Sequence, residues 1–265
     1  MHSVKRVAAR VEDVGQKLLT RIGLGQPEHR IIADAQTYWS TPTAKRWLGN
    51  SHWRDSDAFE DADLWHRMGA EHVAMFDRGV RAAGANLTLD RIVDWGCGGG
   101  GNAVAFMPRC RELIGVDISQ ASLDECERQL AGHRGVFTPV RIDIADPEKA
   151  VPAIGVESVD AFVSYYVLEL VPTPAYGLRL MGVAHQLLAP GGVAHVQIKY
   201  ATSRLSTRPR GRNYLRGQAQ ATSYEVPEFW EAMQRIGFRP VMVELVPRNE
   251  LDERYAYFTL VKDPT

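Results

Sequence analysis

The chain has 265 residues, with 31 Lys and Arg against 32 Asp and Glu, for a formal net charge of −1. That balance excludes a global basic field drawing the protein to nucleic acid or an anionic surface, and no apolar run reaches the roughly 18 residues of a membrane span. The length suits one domain with a decorated edge, and Cys97, Cys110 and Cys126 form neither a CxxC pair nor a metal-like cluster with histidine, which points to a reducing cytoplasm.

Val4, Val7, Val11, Val14, Leu18 and Ile22 recur at helical spacing and predict an amphipathic helix that stops near Gly23 and Gly25. Its stripe suits packing on the core or on a partner chain, as in a homodimer. The basic residues Lys5, Arg6, Arg10, Lys17 and Arg21 would also suit a membrane surface, but the stripe lacks Trp and Phe. The segment has no continuous apolar core and does not read as a signal peptide. Residues 26–63 are irregular and aromatic, with Tyr38, Trp39, Trp47, Trp53 and Phe59. They read either as a lid walling a small-molecule pocket or as short helices on the domain edge.

Asp63 to Gly84 predicts a longer helix with Leu64, Met68, Val73, Phe76 and Val80 on its inner face. His66 and His72 ride on it without HExxH spacing, so no metal site is expected. Each reads as a general-base candidate or as an ordinary hydrogen-bonded histidine. The organisation expected is a lid segment over residues 1–85 and a binding domain over 86–265.

The centre of the chain is Arg91 to Asn102, in which a short buried strand breaks into glycines and a helix follows. Glycines let a backbone approach a ligand with no Cβ between. The spacing Asp94-x-Gly96-x-Gly98-x-Gly100 also contains Gly-x-Gly-x-x-Gly, so the acid decides. Asp94 would repel a pyrophosphate and suits a ligand carrying an ammonium group. Leu113 to Asp117 reads as a second strand ending in an acid suited to a ribose diol.

Ser122 to Glu125 reads as a capping box opening a helix that runs to about Gly132. A third strand, Val136 to Ile142, leads to Asp143-Ile144, and a fourth runs from Val156 into Tyr165, Tyr166 and Glu169. Thr173-Pro174 starts a helix to Leu188, and Ala189 to Gly192 turns into a fifth strand, Val193 to Tyr200. An insertion over 201–223 carries Arg204, Arg208, Arg210, Arg212 and Arg216. It reads as a flap whose arginines grip an oxyanion, or as a solvated loop. Pro227 to Phe238 is a helix ended by glycine, followed by two strands, Val241 to Val246 and Tyr255 to Val261.

On the Asp94 to Gly100 loop, Asp117 and the Leu188-Ala-Pro-Gly-Gly192 turn, the chain resembles the class I S-adenosylmethionine-dependent methyltransferases, from about Arg91 to Lys262. The resemblance implies an α/β fold with a Rossmann-like seven-stranded sheet. That sheet is mostly parallel, its last strand antiparallel, flanked by helices and covered by an N-terminal helical lid. It implies S-adenosyl-L-methionine as cofactor, leaving as S-adenosyl-L-homocysteine. Asp94, Gly96, Cys97, Gly98, Gly100, Asp117 and Ile118 would hold it, with Asp143 and Ile144 at the adenine and Tyr165 near the methyl group. Asp143 reads alternatively as a turn or cap residue, and Cys97 as a small loop filler.

Many small-molecule members carry Leu-Glu-His after the fourth strand. Here the order is Leu168-Glu169-Leu170, which leaves His66, His72 and Glu169 as base candidates. Trp53, Tyr166, Arg210 and Arg212 are candidate substrate contacts. The expected reaction is O-methylation of a small or medium-sized metabolite, such as a sugar or secondary-metabolite intermediate, with an anionic group for the arginines to hold. N-methylation of a small molecule, and cofactor binding without catalysis, are the alternatives. No Asn/Asp-Pro-Pro-Tyr/Phe motif marks a nucleic-acid substrate, and Asp94 with the terminal strand pair argues against a nicotinamide dehydrogenase.

Overall fold

Ile92 and Val93, Leu113 and Val116, and Val159 and Ala161 are all fully buried, the mark of strands covered on both faces. In the computed structural model the strands are β1 (Arg91–Trp95), β2 (Glu112–Asp117), β3 (Val136–Arg141), β4 (Val159–Ser164), β5 (Leu188–Lys199), β6 (Phe238–Arg248) and β7 (Glu253–Lys262). The helices are α1 (His2–Arg21), α2 (Glu28–Trp39), α3 (Lys45–Asn50), α4 (Ala62–Ala83), α5 (Gly101–Phe106), α6 (Gln120–Leu130), α7 (Ala150–Ile154), α8 (Pro174–Leu187) and α9 (Val226–Ile236). The structure describes residues 2–40, 45–59, 62–85, 87–216, 218 and 221–264.

The strands form one sheet in the order β3-β2-β1-β4-β5-β7-β6. Neighbours from β3 to β5 pair parallel, while β7 pairs antiparallel with both β5 and β6. Six strands therefore run one way, and the last inserts against them. Strand order reverses between β1 and β4. In open α/β sheets the carboxyl ends of the strands at such a point enclose a ligand crevice. Because β7 runs backwards, its first residues lie at that same end, where Lys199 of β5 is in register with Tyr255.

Helix starts and stops follow local chemistry. Thr173 caps α8 by accepting from the Tyr176 N–H at 3.0 Å, with Pro174 in the first turn. The cap of α6 is Ser119, whose hydroxyl accepts from Ser122 N at 3.3 Å. The capping box expected from Ser122 is thus corrected: Ser122 lies inside the helix, and Glu125 instead grips Arg128 at 2.7 Å. The stretch read as irregular contains α2, anchored by buried Ile31 and Ala35.

The N-terminal elements share their cores with the sheet. Ile31 and Ala35 pack in one cluster with Val93 and Phe162, and Phe59, Trp65 and Phe76 in the other with Ile92 and Ala161. In α1 the side chains of residues 4, 7 and 11, and of basic residues 5, 6 and 10, lie outside those described. Among the described ones, Val14, Leu18 and Ile22 face outward, and the inward contact is made by Lys17, which is 1% exposed. Among the described residues no helix is long and apolar enough to cross a membrane.

Candidate active site

The glycine loop is held from two sides. From β2, Val116 O accepts from Gly96 N at 2.7 Å, and the Asp117 carboxylate accepts from Gly98 N at 3.1 Å and Ser119 N at 2.8 Å. From the N-terminal side, Ser51 O accepts from Gly99 N at 2.7 Å. A Cβ on Gly98, whose φ is +51°, would meet Ser51 O at 2.4 Å, and one on Gly99 would meet His52 O and the Trp53 Cα at 2.7 Å. The bare backbone therefore admits the segment after α3 as well as a ligand. His52 (φ 54°) and Tyr166 (φ 58°), facing each other across the site, both adopt a left-handed backbone. That cost is borne only where surrounding structure fixes it, as at ligand sites.

Asp94, next to last in β1, lies behind the loop and is 1% exposed. Among the described residues its Oδ2 has no hydrogen-bond partner. Burial, with Asp117 nearby, pushes its carboxyl up to about 7. Burial also raises Asp117 to about 6, against the pull of the Ser119, Gly98 and Ile118 backbone N–H groups. A buried acid lacking a counter-charge is costly and marks a place for a cation.

A cleft opens beside the loop. Gly96, Cys97, Gly98, Asp117, Ile118, Ile144, Tyr165 and Tyr166 line it, as do Ile142, Trp39, Asn50 and His52 from outside the expected set. The structure thus brings most of the expected cofactor residues to one cleft. Asp94 and Gly100 lie outside the lining, Asp94 directly behind Trp95 and Gly96. The set fits S-adenosylmethionine, with the orphaned Asp94 oxygen behind the loop for the ammonium, Asp117 for the ribose diol, and Ile118, Ile142 and Ile144 as apolar cover for adenine. Asp143 is exposed, outside the lining, and accepts from Ala145 N at 2.8 Å in a local turn. Cys97 is a buried free thiol held well above its ordinary pKa through Cys126 and burial, which suits a filler. The Tyr165 hydroxyl is taken up by His195 Nδ1 at 2.8 Å.

Next to the cleft lies a second space, a chamber open to solvent at one side. Asn50, His52, Tyr166 and Leu170 line both, while Arg46, Asp57, Glu169, Asp252 and Tyr255 line the chamber alone. Glu169 is 4% exposed, and among the described residues its Oε2 has no hydrogen-bond partner. Burial pushes it up to about 7, opposed by Lys199, the Gln197 amide and Arg254 and assisted by Asp252. Of the other base candidates, His66 is exposed and lines neither space. His72 is buried, with Nδ1 bonded to Asn102 at 2.7 Å, Nε2 to Tyr257 at 3.3 Å, and its ring stacked 4.2 Å from Tyr165. It is a satisfied core histidine.

The expected substrate contacts divide. Tyr166 stands between cleft and chamber, its hydroxyl accepting from Asn249 at 2.9 Å. Trp53 lines neither space and packs on Trp47 at 5.8 Å; Trp39 holds the wall instead. Arg210 and Arg212 are also absent from both linings. Arg210 lies 3.6 Å from Asp13, Arg212 bonds to Leu24 O, Arg208 pairs with Glu225 and Arg216 with Glu12 at 2.7 Å. The arginine flap is thus corrected: these side chains staple the insertion to α1, α9 and the chain after α1. His52, Asp252 and Tyr255 were missed, because no local pattern marks them. Among the described residues no group of three or more His, Cys, Asp or Glu could hold a metal ion.

Residues 93–194 match the family model of a methyltransferase domain. No curated protein matches the chain significantly. Solved structures share the fold at low identity. One is the 1,6-didemethyltoxoflavin-N1-methyltransferase of Burkholderia thailandensis, crystallised with its substrate and S-adenosylhomocysteine, at 18% identity over 78% of this chain and 81% of that one, TM-score 0.55. Another is the N-methyltransferase NodS of Bradyrhizobium japonicum WM9, at 14% identity over 77% and 99%, TM-score 0.55. A third is the arsenic(III) methyltransferase of Chlamydomonas reinhardtii, at 20% identity over 68% and 65%, TM-score 0.51. The acid-led glycine loop and the sheet order agree with the domain match: the chain carries, at residues 93–194, a methyltransferase domain.

Proposed function

We propose that the protein transfers a methyl group from S-adenosylmethionine to a small molecule held in the chamber beside the cofactor cleft. When bound, the cofactor supplies an electrophilic methyl group on a sulfonium. Asp94 offers a counter-charge to its ammonium, Asp117 accepts from its ribose, and Ile118, Ile142 and Ile144 cover its adenine. Tyr166, His52 and Leu170 border both spaces and exclude water from the passage between them. The acceptor needs only to be held in line and desolvated there.

Glu169 carries the reading. It is the buried carboxylate of the chamber with an oxygen left unbonded among the described residues. A carboxyl tuned near neutrality suits proton transfer at working pH, and the acceptor's nucleophile gives its proton to Glu169. The expected hydroxyl of a sugar or secondary metabolite meets this requirement, and so does an amine. The oxyanion-bearing acceptor loses its support, since Arg210 and Arg212 lie outside the chamber.

The test is to incubate purified protein with methyl-labelled S-adenosylmethionine and fractionated metabolite extracts. Label appearing in small molecules supports the proposal. Label found only in protein or nucleic acid, or cofactor bound with no label transferred, contradicts it.

A further inference from the structure

The chamber's charges are arranged by depth. Arg46 and Asp57, of opposite sign, are exposed at its mouth. Glu169 lies buried, and Asp252, about a third exposed, is paired with Lys199. Arg254, the other neighbouring cation, bonds to Tyr200 O at 2.6 Å and lies 3.6 Å from Glu253. Lys199 and Arg254 thus have their nearest carboxylates elsewhere, while among the described residues Glu169 makes no ion pair and keeps an unbonded oxygen.

A hydroxyl could donate one hydrogen bond to Glu169 but brings no positive charge to set against its carboxylate. An ammonium meets both needs. The walls suit a cation too. Tyr166 and Tyr255 stand edge to face at 5.1 Å, His52 lies 4.8 Å from Tyr166, and Tyr255 already carries the Lys199 ammonium 5.7 Å from its ring centre. Burial holds His52 down to about 3, so it is neutral and does not repel a positive guest.

We infer that the methyl acceptor is a primary or secondary amine that enters the chamber as its ammonium and pairs with Glu169. The inference rests on the proposed function and narrows its acceptor. The ammonium passes one proton to the Glu169 carboxylate, which leaves a neutral amine with a free electron pair and a protonated Glu169. That pair forms the new N–C bond as the methyl carbon's bond to sulfur breaks, and the S–C electrons stay on sulfur as a neutral thioether. The product is an N-methylated ammonium, and Glu169 returns its proton to solvent.

The test is calorimetry on the full-length protein saturated with S-adenosylhomocysteine, using matched probes that differ only in the head group. Benzylamine is compared with benzyl alcohol, phenethylamine with phenethyl alcohol, and tryptamine with tryptophol. The inference expects at least one amine to bind about tenfold or more tightly than its alcohol, and Glu169→Gln to abolish the preference. If no amine outbinds its alcohol, or if Glu169→Gln keeps the preference, the inference is overturned while the proposed function stands. If S-adenosylhomocysteine itself fails to bind, the proposed function falls instead.

Discussion

Ser51 accepts a hydrogen bond from the Gly99 N–H at 2.7 Å. Through it the segment after α3 is seated on the glycine loop, and cover and cofactor loop are one structure. A methyl group at Gly99, whose backbone is not left-handed, would come within 2.7 Å of His52 O and the Trp53 Cα. Gly99→Ala must therefore lift the cover. Cofactor affinity is expected to fall about tenfold or more, with a stability loss of about 1–3 kcal/mol. Calorimetric titration and urea denaturation read the two effects.

Asp94 couples binding to stability. Its folded-state carboxyl keeps its proton to about 7, well above the ordinary 3.8. The folded state thus binds the proton more tightly than the unfolded one, and stability falls as pH rises between those values, by on the order of 4 kcal/mol. Asp94→Asn removes the charge that must be buried. Without ligand, the variant should melt higher than the wild type by on the order of 5 °C near pH 8, and gain little near pH 4. The stabilising shift given by S-adenosylhomocysteine should vanish. Thermal melts at the two pH values, with and without ligand, check all three.

The base candidates separate by kinetics. Glu169, facing Lys199, Asp252 and Arg254, is pushed up to about 7 by burial first. Its proton-accepting form grows as pH rises, so kcat/KM should climb through about pH 7 and then level. Glu169→Gln should lose turnover about 100-fold and flatten that limb. His72→Gln should keep turnover within a few fold but cost about 1–3 kcal/mol of stability, since Asn102 and Tyr257 lose a buried partner. His66→Ala should change neither.

Tyr214 is the hinge pin of the insertion. Its buried hydroxyl donates to Leu170 O and accepts from Trp39 Nε1 at 2.8 Å, and both Trp39 and Leu170 line the cleft. Tyr214→Phe leaves two buried groups unpaired. A loss of about 1–3 kcal/mol is expected in chemical denaturation, together with weaker cofactor binding.

What could be read from the chain divides by distance along it. The acid-led glycine loop, Asp117 and the Thr173-Pro174 helix start are local patterns, and each lies where its spacing implied. So does β7, the reversed terminal strand. The capping box at Ser122 misled because Ser119 offers the same chemistry three residues earlier. The arginines of the insertion misled for a different reason. Their partners include Glu12 and Asp13, about two hundred residues away, and no local signal tells a staple from an oxyanion grip. Asp252 and Tyr255 reach the chamber only because β7 runs backwards, which places the start of a strand where the other six end.

The proposed seat for an adenosyl sulfonium at Asp94, the glycine loop and Asp117 is tested most directly by calorimetric titration of the apo protein with S-adenosylhomocysteine and, separately, with NAD. The account predicts one tight site for S-adenosylhomocysteine, lost in Asp94→Asn and weakened about tenfold or more in Asp117→Asn, with no heat from NAD. Binding of NAD, or S-adenosylhomocysteine binding that both variants leave intact, would contradict it.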